Sequence, residues 1–197
     1  MLVLDAEDTF TAMLAYQLRS LGPAVTVRRF DEPFALPEYD VVVIGPGPGD
    51  PRDDDDDPKM RVLRDAVGQL LRHRQPFLAV CLGHQVLCRT LGLRLARLPQ
   101  PHQGLQRTID YFGGEQRVGF YHSFAAWCDT DSLFSPVVPW PIRVSRDRAN
   151  GEVYGLWAPV FRSMQFHPES VLTESGPQIL AEALASVSTR APAALVG

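Results

Sequence analysis

Short apolar runs alternate with helix-like segments through the first half of this 197-residue chain, and this alternation limits the folds open to it. Four runs have the length of buried strands, at residues 2–4, 25–30, 41–44 and 77–80. Residues 10–21 and 60–71 carry apolar side chains at helical spacing. The alternation predicts an α/β fold with right-handed crossovers, whose ligands gather beyond the carboxyl ends of the strands.

Local signals refine this prediction. Asp8 precedes the first helical segment as a candidate cap, and Gly22 follows it as a stop signal. The run 41–44 is apolar at every position, which is typical of a central parallel strand buried on both faces. We therefore expect a flavodoxin-like, open, mostly parallel sheet flanked by helices.

The second half of the chain has a different pattern. Strand-like runs occur at residues 108–111, 117–121, 142–146 and 163–166. Only residues 178–187 have a helical pattern. We expect these strands to form a small antiparallel β extension of one domain, residues 1–190, with residues 191–197 as a tail.

Composition excludes several classes of protein. Hydrophobic residues make up 45% of the chain, but no apolar run reaches the roughly 18 residues of a membrane span. The net charge of −4 argues against a nucleic-acid partner. The start of the chain lacks the pattern of a secretory signal, and the three cysteines have no paired spacing. We expect a soluble protein of the reducing cytoplasm with free thiols.

Three polar or glycine-rich segments each follow a predicted strand: IGPGPGDP (44–51), AVCLGHQ (79–85) and QFHPES (165–170). Because strand ends from distant parts of a doubly wound sheet meet at one edge, these segments can form one site.

Cys81 stands between the buried run 77–80 and a helix start near Gly83, so we place it at a tight strand-to-helix turn. The first turn of a helix supplies free N–H groups and partial positive charge, which stabilise a thiolate and a developing oxyanion. Gly83 would relieve crowding at such a turn, as in the G-x-S-x-G turn of hydrolases. The alternative is that Cys81 is a small buried hydrophobe.

A thiol nucleophile needs a base and a group that orients the base. His167 and Glu169 supply both, because residues two apart in an extended segment point to the same side. His73 and His102 are interpreted as surface or packed residues instead.

Two loops carry alternative interpretations. The prolines and glycines of GPGPGDP suit a backbone that aims an N–H at a ligand, although a rigid turn is the simpler interpretation. A phosphate loop is disfavoured because the Lys-Ser/Thr ending is missing. The acidic run from Asp53 to Asp57 is interpreted as a solvated surface loop, with a metal site as the minor alternative.

Taken together, GPGPGDP, CLGHQ and HPES, in this order, resemble the class I, or triad, glutamine amidotransferase domains over nearly the whole chain. The segments DAEDTFTAML, HQGLQRTIDYFG and RVGFYHSFAA resemble the amidotransferase domains of chorismate-using synthases. The likeness is strongest to fused anthranilate synthases and the phenazine-pathway enzyme that makes aminodeoxyisochorismate. Separate anthranilate synthase small subunits usually have a His-Gly-Lys-type segment where this chain has HQGLQR.

The resemblance implies a role for each matching residue. Cys81 would attack the amide of L-glutamine, His167 would handle the proton, and Glu169 would orient the imidazole. The backbone N–H groups of Gly47 and Leu82 would form the oxyanion hole. Gln85, Ser123 and Phe124 would hold the substrate's α-amino and α-carboxylate groups, and the substrate-binding loop would comprise Gly47, Pro48 and Gly49. An ordinary β-turn hydroxyl is the alternative for Ser123.

The resemblance also implies a partner. No cofactor or metal is expected in this chain, whereas Mg²⁺ is expected in a chorismate-binding synthase, present as a separate subunit or a fused domain. The expected acceptor enzyme is an anthranilate synthase, with aminodeoxyisochorismate or aminodeoxychorismate synthase as alternatives. A non-catalytic docking domain and a free-standing thiol hydrolase, such as a γ-glutamyl peptidase, remain alternatives from other classes.

Overall fold

The computed structural model describes residues 1–53 and 57–188. Within these ranges it contains an eight-stranded sheet, a two-stranded ribbon, four α-helices and a short 3-10 helix at Leu36–Glu38. The strands are β1 (Leu2–Asp5), β2 (Thr26–Arg29), β3 (Val42–Ile44), β4 (Phe77–Val80), β5 (Arg94–Tyr111), β6 (Gly114–Trp127), β7 (Ser132–Leu133), β8 (Ile142–Arg146), β9 (Val153–Ala158) and β10 (Phe161–Met164). The α-helices are α1 (Thr11–Ser20), α2 (Pro58–His73), α3 (Leu82–Thr90) and α4 (Gly176–Ser188).

The sheet has the strand order β2-β1-β3-β4-β10-β9-β8-β7. The pairs from β2 to β10 are parallel, and those from β10 to β7 are antiparallel. The predicted flavodoxin-like sheet is confirmed, and β3 is a central parallel strand as expected. Buried apolar side chains pack on both faces, with α2 and α3 on one side and α1 and α4 on the other.

The position of β10 differs from the prediction. Residues 163–166 were assigned to the antiparallel extension, but the strand is Phe161–Met164 and its neighbours are β9 and β4. It is antiparallel to β9 and parallel to β4, with Ser163 opposite Ala79 and Met164 opposite Val80. All four residues are buried, which favours a central position in the sheet. The segment after β10 therefore begins beside the segment after β4.

The antiparallel extension is mainly the ribbon of β5 and β6. It is much longer than the predicted runs 108–111 and 117–121, which form only part of it. Its register shifts twice, between Arg97 and His102 and between Gln103 and Leu105. Gly104, at the second shift, has φ +67°, a conformation that favours glycine.

Two acidic segments differ from the expectations. Asp8 does not cap α1 directly; its carboxylate accepts a hydrogen bond from the N–H of Phe10, before the helix begins. Asp57, at the end of the acidic run, caps α2 by accepting a hydrogen bond from the N–H of Lys59. Residues 54–56 of the run and the tail 191–197 lie outside the described residues. Among the helices described, none has the length and apolar character needed to cross a membrane.

Candidate active site

Cys81 stands at the junction of β4 and α3, as predicted. Its backbone has φ 51° and ψ −102°, a conformation that a non-glycine residue rarely adopts. The N–H of Cys81 donates to the carbonyl of Met164, so β10 holds the turn from one side. Only 6% of the residue is exposed. Backbone strain of this kind is concentrated at functional sites, where the surrounding structure maintains it.

Gly83 allows this turn to pack against β3. A Cβ atom at this position would lie 2.5 Å from the carbonyl oxygen of Ile44 and 2.9 Å from its Cγ2. No side chain fits in that space without movement of the backbone. Gly47 is equally confined, because its Cβ would lie 2.2 Å from the carbonyl oxygen of Ala6. Gly83 thus lets the start of α3 pack against the end of β3, and Gly47 lets the loop after β3 pack against the segment after β1.

His167 and Glu169 meet after the end of β10. Nδ1 of His167 lies 2.7 Å from Oε1 of Glu169, and both residues are 1% exposed. The segment is a turn and not the extended strand assumed from the sequence. The carbonyl of His167 accepts hydrogen bonds from the N–H of Ser170 and from Oγ1 of Thr173, which close the turn. The two side chains therefore meet through a local turn stabilised by Thr173.

The charges around His167 set its proton affinity. Burial lowers the pKa of the imidazole, but the charge of the Cys81 sulfur and the charge and hydrogen bond of Glu169 raise it. The net effect is a pKa well above the usual value for histidine. Within residues 1–53 and 57–188, the buried Nε2 has no partner at normal hydrogen-bond geometry, and both charge and weak hydrogen bonding to Cys81 contribute to the raised pKa. The arrangement favours an imidazolium beside the sulfur.

A cavity of about 630 Å³ opens beside Cys81. The expected substrate-binding residues all line it, namely Gly47, Pro48, Gly49, Gln85, Ser123 and Phe124. His167, Glu169 and Leu82 do not line it. As the first residue of α3, Leu82 has an N–H without an acceptor inside the helix. The structure thus brings the sequence-predicted residues to one edge of the sheet, with the sulfur at the cavity wall.

Gln85 connects the nucleophile helix to the ribbon. Its Nε2 donates to the carbonyl of Phe124 at 2.7 Å and to Oε1 of Gln165 at 3.2 Å. The amide nitrogen is therefore occupied within the protein. Gln85 fixes the backbone of Phe124, which lines the same cavity.

Sequence reasoning missed several residues of the site. The ring centroid of Phe10 lies 4.8 Å from that of His167 in a tilted arrangement. The ring centroid of Tyr121 lies 5.2 Å from that of His167 in an edge-on arrangement. Arg97 and Gln103 also line the cavity. Tyr121 and Gln103 lie within the segments RVGFYHSFAA and HQGLQRTIDYFG, which carried the family resemblance but gave no role to these positions.

Comparisons with known proteins agree with this geometry. Residues 2–187 match the family model described as "Glutamine amidotransferase class-I". The chain is 51% identical over 183 residues to a Pseudomonas fluorescens protein named "Anthranilate synthase, phenazine specific". That match covers 93% of this chain but only 28% of the relative, so the chain spans little more than a quarter of that protein.

Two further similarities cover nearly the full length of both partners. The "Aminodeoxychorismate synthase component 2" of Klebsiella aerogenes is 32% identical over 193 residues, which are 93% of this chain and 98% of that protein. The crystal structure of a glutamine amidotransferase from Thermotoga maritima has a TM-score of 0.67 at 17% identity and 94% coverage of each chain. The structural likeness concerns the fold.

Proposed function

We propose that this chain, which belongs to the class-I glutamine amidotransferase family, releases ammonia from L-glutamine for a chorismate-using synthase. One observation carries the proposal: the adjacent parallel strands β4 and β10 bring Cys81, at the wall of a cavity, next to the buried His167–Glu169 pair. Gly47 lines that cavity, and Leu82, whose N–H has no acceptor inside the helix, directly follows Cys81 at the start of α3.

The reaction begins with attack of the Cys81 sulfur on the carboxamide carbon of glutamine. The carbon–sulfur bond forms as the carbonyl electrons move to oxygen. The N–H groups of Gly47 and Leu82 stabilise this oxyanion, and each such donor is typically worth about 3 kcal/mol. The imidazolium of His167 then gives its proton to the amide nitrogen. The carbon–nitrogen bond breaks, ammonia leaves, and a γ-glutamyl thioester remains on Cys81.

Water completes the cycle. His167, now neutral, removes a proton from water, and the water oxygen attacks the thioester carbon. Glutamate leaves, the sulfur departs as a thiolate, and the imidazolium is restored. Glu169 keeps Nδ1 protonated throughout and stabilises the positive charge on the ring. In this scheme Gln85, Ser123, Phe124, Pro48 and Gly49 hold the amino-acid end of the substrate.

Ammonia released into water is protonated and diluted, so the glutaminase is useful only when docked to an acceptor site. A chorismate-binding synthase, as a separate subunit or a fused domain, is the proposed acceptor. The 28% coverage of the phenazine-specific relative supports a fused arrangement. The Mg²⁺ expected for chorismate chemistry belongs to that partner, and no step above depends on it.

The best-supported partner activity is of the anthranilate synthase type, because of the 51% identity. The 32% identity to an aminodeoxychorismate synthase component supports that acceptor as a second candidate, and aminodeoxyisochorismate synthase is a third. Supplying chorismate and glutamine to the complete complex and identifying the amino product by mass spectrometry distinguishes the three.

The proposal is tested by the Cys81→Ser variant in the complete complex, with Cys128→Ser as the control at a half-buried cysteine. Cys81→Ser should abolish product formation from glutamine and leave formation from high ammonium salt unchanged. Cys128→Ser should retain both activities. Loss of both in Cys81→Ser, or retention of glutamine use, contradicts the proposal.

A glutamine-mimicking electrophile tests the alternative of a non-catalytic docking domain. It should label Cys81 in the complex. Failure to label Cys81 with the partner present favours the docking domain. Rapid glutamine or γ-glutamyl peptide hydrolysis by the isolated chain would instead favour a free-standing hydrolase.

A further inference from the structure

A second cluster of polar side chains lies next to the cavity beside Cys81, called here the glutamine cavity, and has no part in the reaction above. His102 on β5 and His122 on β6 are direct cross-strand partners in the ribbon. Glu152, which precedes β9, forms a β-bridge with Trp127 at the end of β6. His122 and Glu152 are buried, and His102 is nearly so, with 12% of its side chain exposed. One ligand atom from each of the three residues falls within 4.8 Å of the others.

The distances in this cluster match the separation of ligand atoms around a metal ion, although the contact of His122 with Glu152 is also a long hydrogen bond. Oε1 of Glu152 lies 3.3 Å from Nε2 of His122 and 3.6 Å from Nδ1 of His102. Ligand atoms about 2.0–2.1 Å from a tetrahedral zinc ion are separated by about 3.3–3.4 Å. Nδ1 of His102 is buried and has no hydrogen-bond partner within residues 1–53 and 57–188. We propose that His102, His122 and Glu152 bind one divalent transition-metal ion of the zinc class.

The ligand types select the kind of ion. Imidazole nitrogens suit zinc, cobalt and nickel, whereas magnesium and calcium favour oxygen ligands. Three protein ligands leave a fourth position for water. His102 lines a neighbouring cavity of about 400 Å³, formed by residues 100–107, and His122 lines the glutamine cavity. These cavities give a hydrated ion a route to the cluster.

Arg107 tunes this site. Its guanidinium lies 3.8 Å from Oε2 of Glu152 and 3.3 Å from Nε2 of His102. Through its contact with Glu152, the guanidinium supports the outer oxygen of a ligating carboxylate. The contact with His102 must open, because Nε2 of His102 carries the proton once Nδ1 binds the ion. The side chain is 37% exposed, which leaves room for this movement.

The ion would add a side-chain link between segments that are already paired through their backbones, in the β5–β6 ribbon and at the bridge of Trp127 with Glu152. It would fix the middle of the ribbon to Glu152, and the residue after His122 is the cavity-lining Ser123. Binding to the folded state alone raises the midpoint of thermal unfolding. Metal binding can thus be measured without any assay of glutamine hydrolysis.

The experiment uses the full chain with Cys81→Ser and Cys128→Ser as background, so that the thiols of these residues are not available to the ion. Chelator-treated protein is titrated with Co²⁺ and, by calorimetry, with Zn²⁺. One equivalent should bind, with visible Co²⁺ absorption typical of a tetrahedral nitrogen–oxygen site and no thiolate charge-transfer band. Zn²⁺ should raise the unfolding midpoint.

Ligand substitutions locate the bound ion. His102→Asn changes the most exposed of the three ligands and should weaken affinity by about 100-fold or more. Glu152→Gln, which keeps the side-chain shape, should have a similar effect, and circular dichroism verifies that each variant folds. His73→Asn, at the exposed end of α2, is the matched control and should bind normally. The proposal is overturned if the parent chain binds no stoichiometric ion, or if a folded His102→Asn or Glu152→Gln variant binds as tightly as the control.

Discussion

Nδ1 of His167 lies 2.7 Å from Oε1 of Glu169, inside a turn that Thr173 closes by donating to the carbonyl of His167. The pair is buried at the end of β10, and this strand lies directly beside the strand that ends at Cys81. The imidazole is therefore held by its own local turn, while its distance from the sulfur depends on strand pairing.

Glu169→Gln should lower kcat/KM for glutamine hydrolysis in the complex by about 100-fold. Burial lowers the pKa of His167, whereas the charge and hydrogen bond of Glu169 raise it. Loss of the carboxylate charge should therefore reduce the pKa of His167. The basic limb of the kcat/KM profile should consequently move to lower pH. Glu174→Gln, an exposed change nearby, is the control. An unchanged pH profile in Glu169→Gln would contradict this role.

Gly83→Ala should lower the free energy of unfolding by about 1–3 kcal/mol, because the new methyl group overpacks against the backbone of Ile44. Urea unfolding measures the change. Gly68→Ala in α2 is the matched control, since the added methyl would meet only the mobile end of Arg72. That control should be neutral or stabilising by up to about 1 kcal/mol. Equal stability of both variants would show that the turn after β4 tolerates a side chain.

Gln85→Leu should raise KM for glutamine about 10-fold with a smaller effect on kcat. The substitution removes the donor that holds the carbonyl of Phe124, and one such bond corresponds to about 1.4 kcal/mol. Steady-state kinetics of the complex measure the separation of KM from kcat. Gln69→Leu, on the exposed face of α2, should leave both constants unchanged. A fall in kcat at constant KM would instead assign Gln85 to the chemical step.

His84 should make stability depend on pH. Burial, together with the charge of His122, lowers the pKa of His84 from 6.5 to about 3. Nδ1 of His84 lies 2.8 Å from Oγ of Ser163, which also accepts a hydrogen bond from the N–H of Leu156, so the imidazole is enclosed by polar groups inside the protein. Between about pH 6.5 and pH 3 the unfolded chain binds a proton here and the folded chain does not.

The free energy of unfolding should therefore fall as pH decreases through this window, by up to about 1.4 kcal/mol per pH unit. Urea unfolding at pH 7, 6 and 5 provides the slope. His84→Gln should make the slope shallower, and His73→Gln, at an exposed position, should not change it. Identical slopes in all three proteins would exclude the contribution of His84.

Much of the site was visible in the sequence because it depends on local patterns. The buried run before Cys81 and the glycine after it predict a strand-to-helix turn, and the order of GPGPGDP, CLGHQ and HPES indicates the family. The spacing of hydrophobic residues and the presence of turn residues determine local structure through interactions between residues close together in the chain. The helices and central strands of the first half were predicted for this reason.

Other features arise only when distant segments pair. β10 lies between β4 and β9, yet its short buried run resembles any other strand of the second half. Likewise, nothing in the spacing of His102, His122 and Glu152 indicates that they meet. Local sequence was enough for the helices and central strands of the first half, for the nucleophile turn and for the choice of candidate site residues, but not for β7, β9 or the full length of the ribbon. Their relative positions depend on strand order and ribbon register, because these are set by packing over the whole chain and not by neighbouring residues.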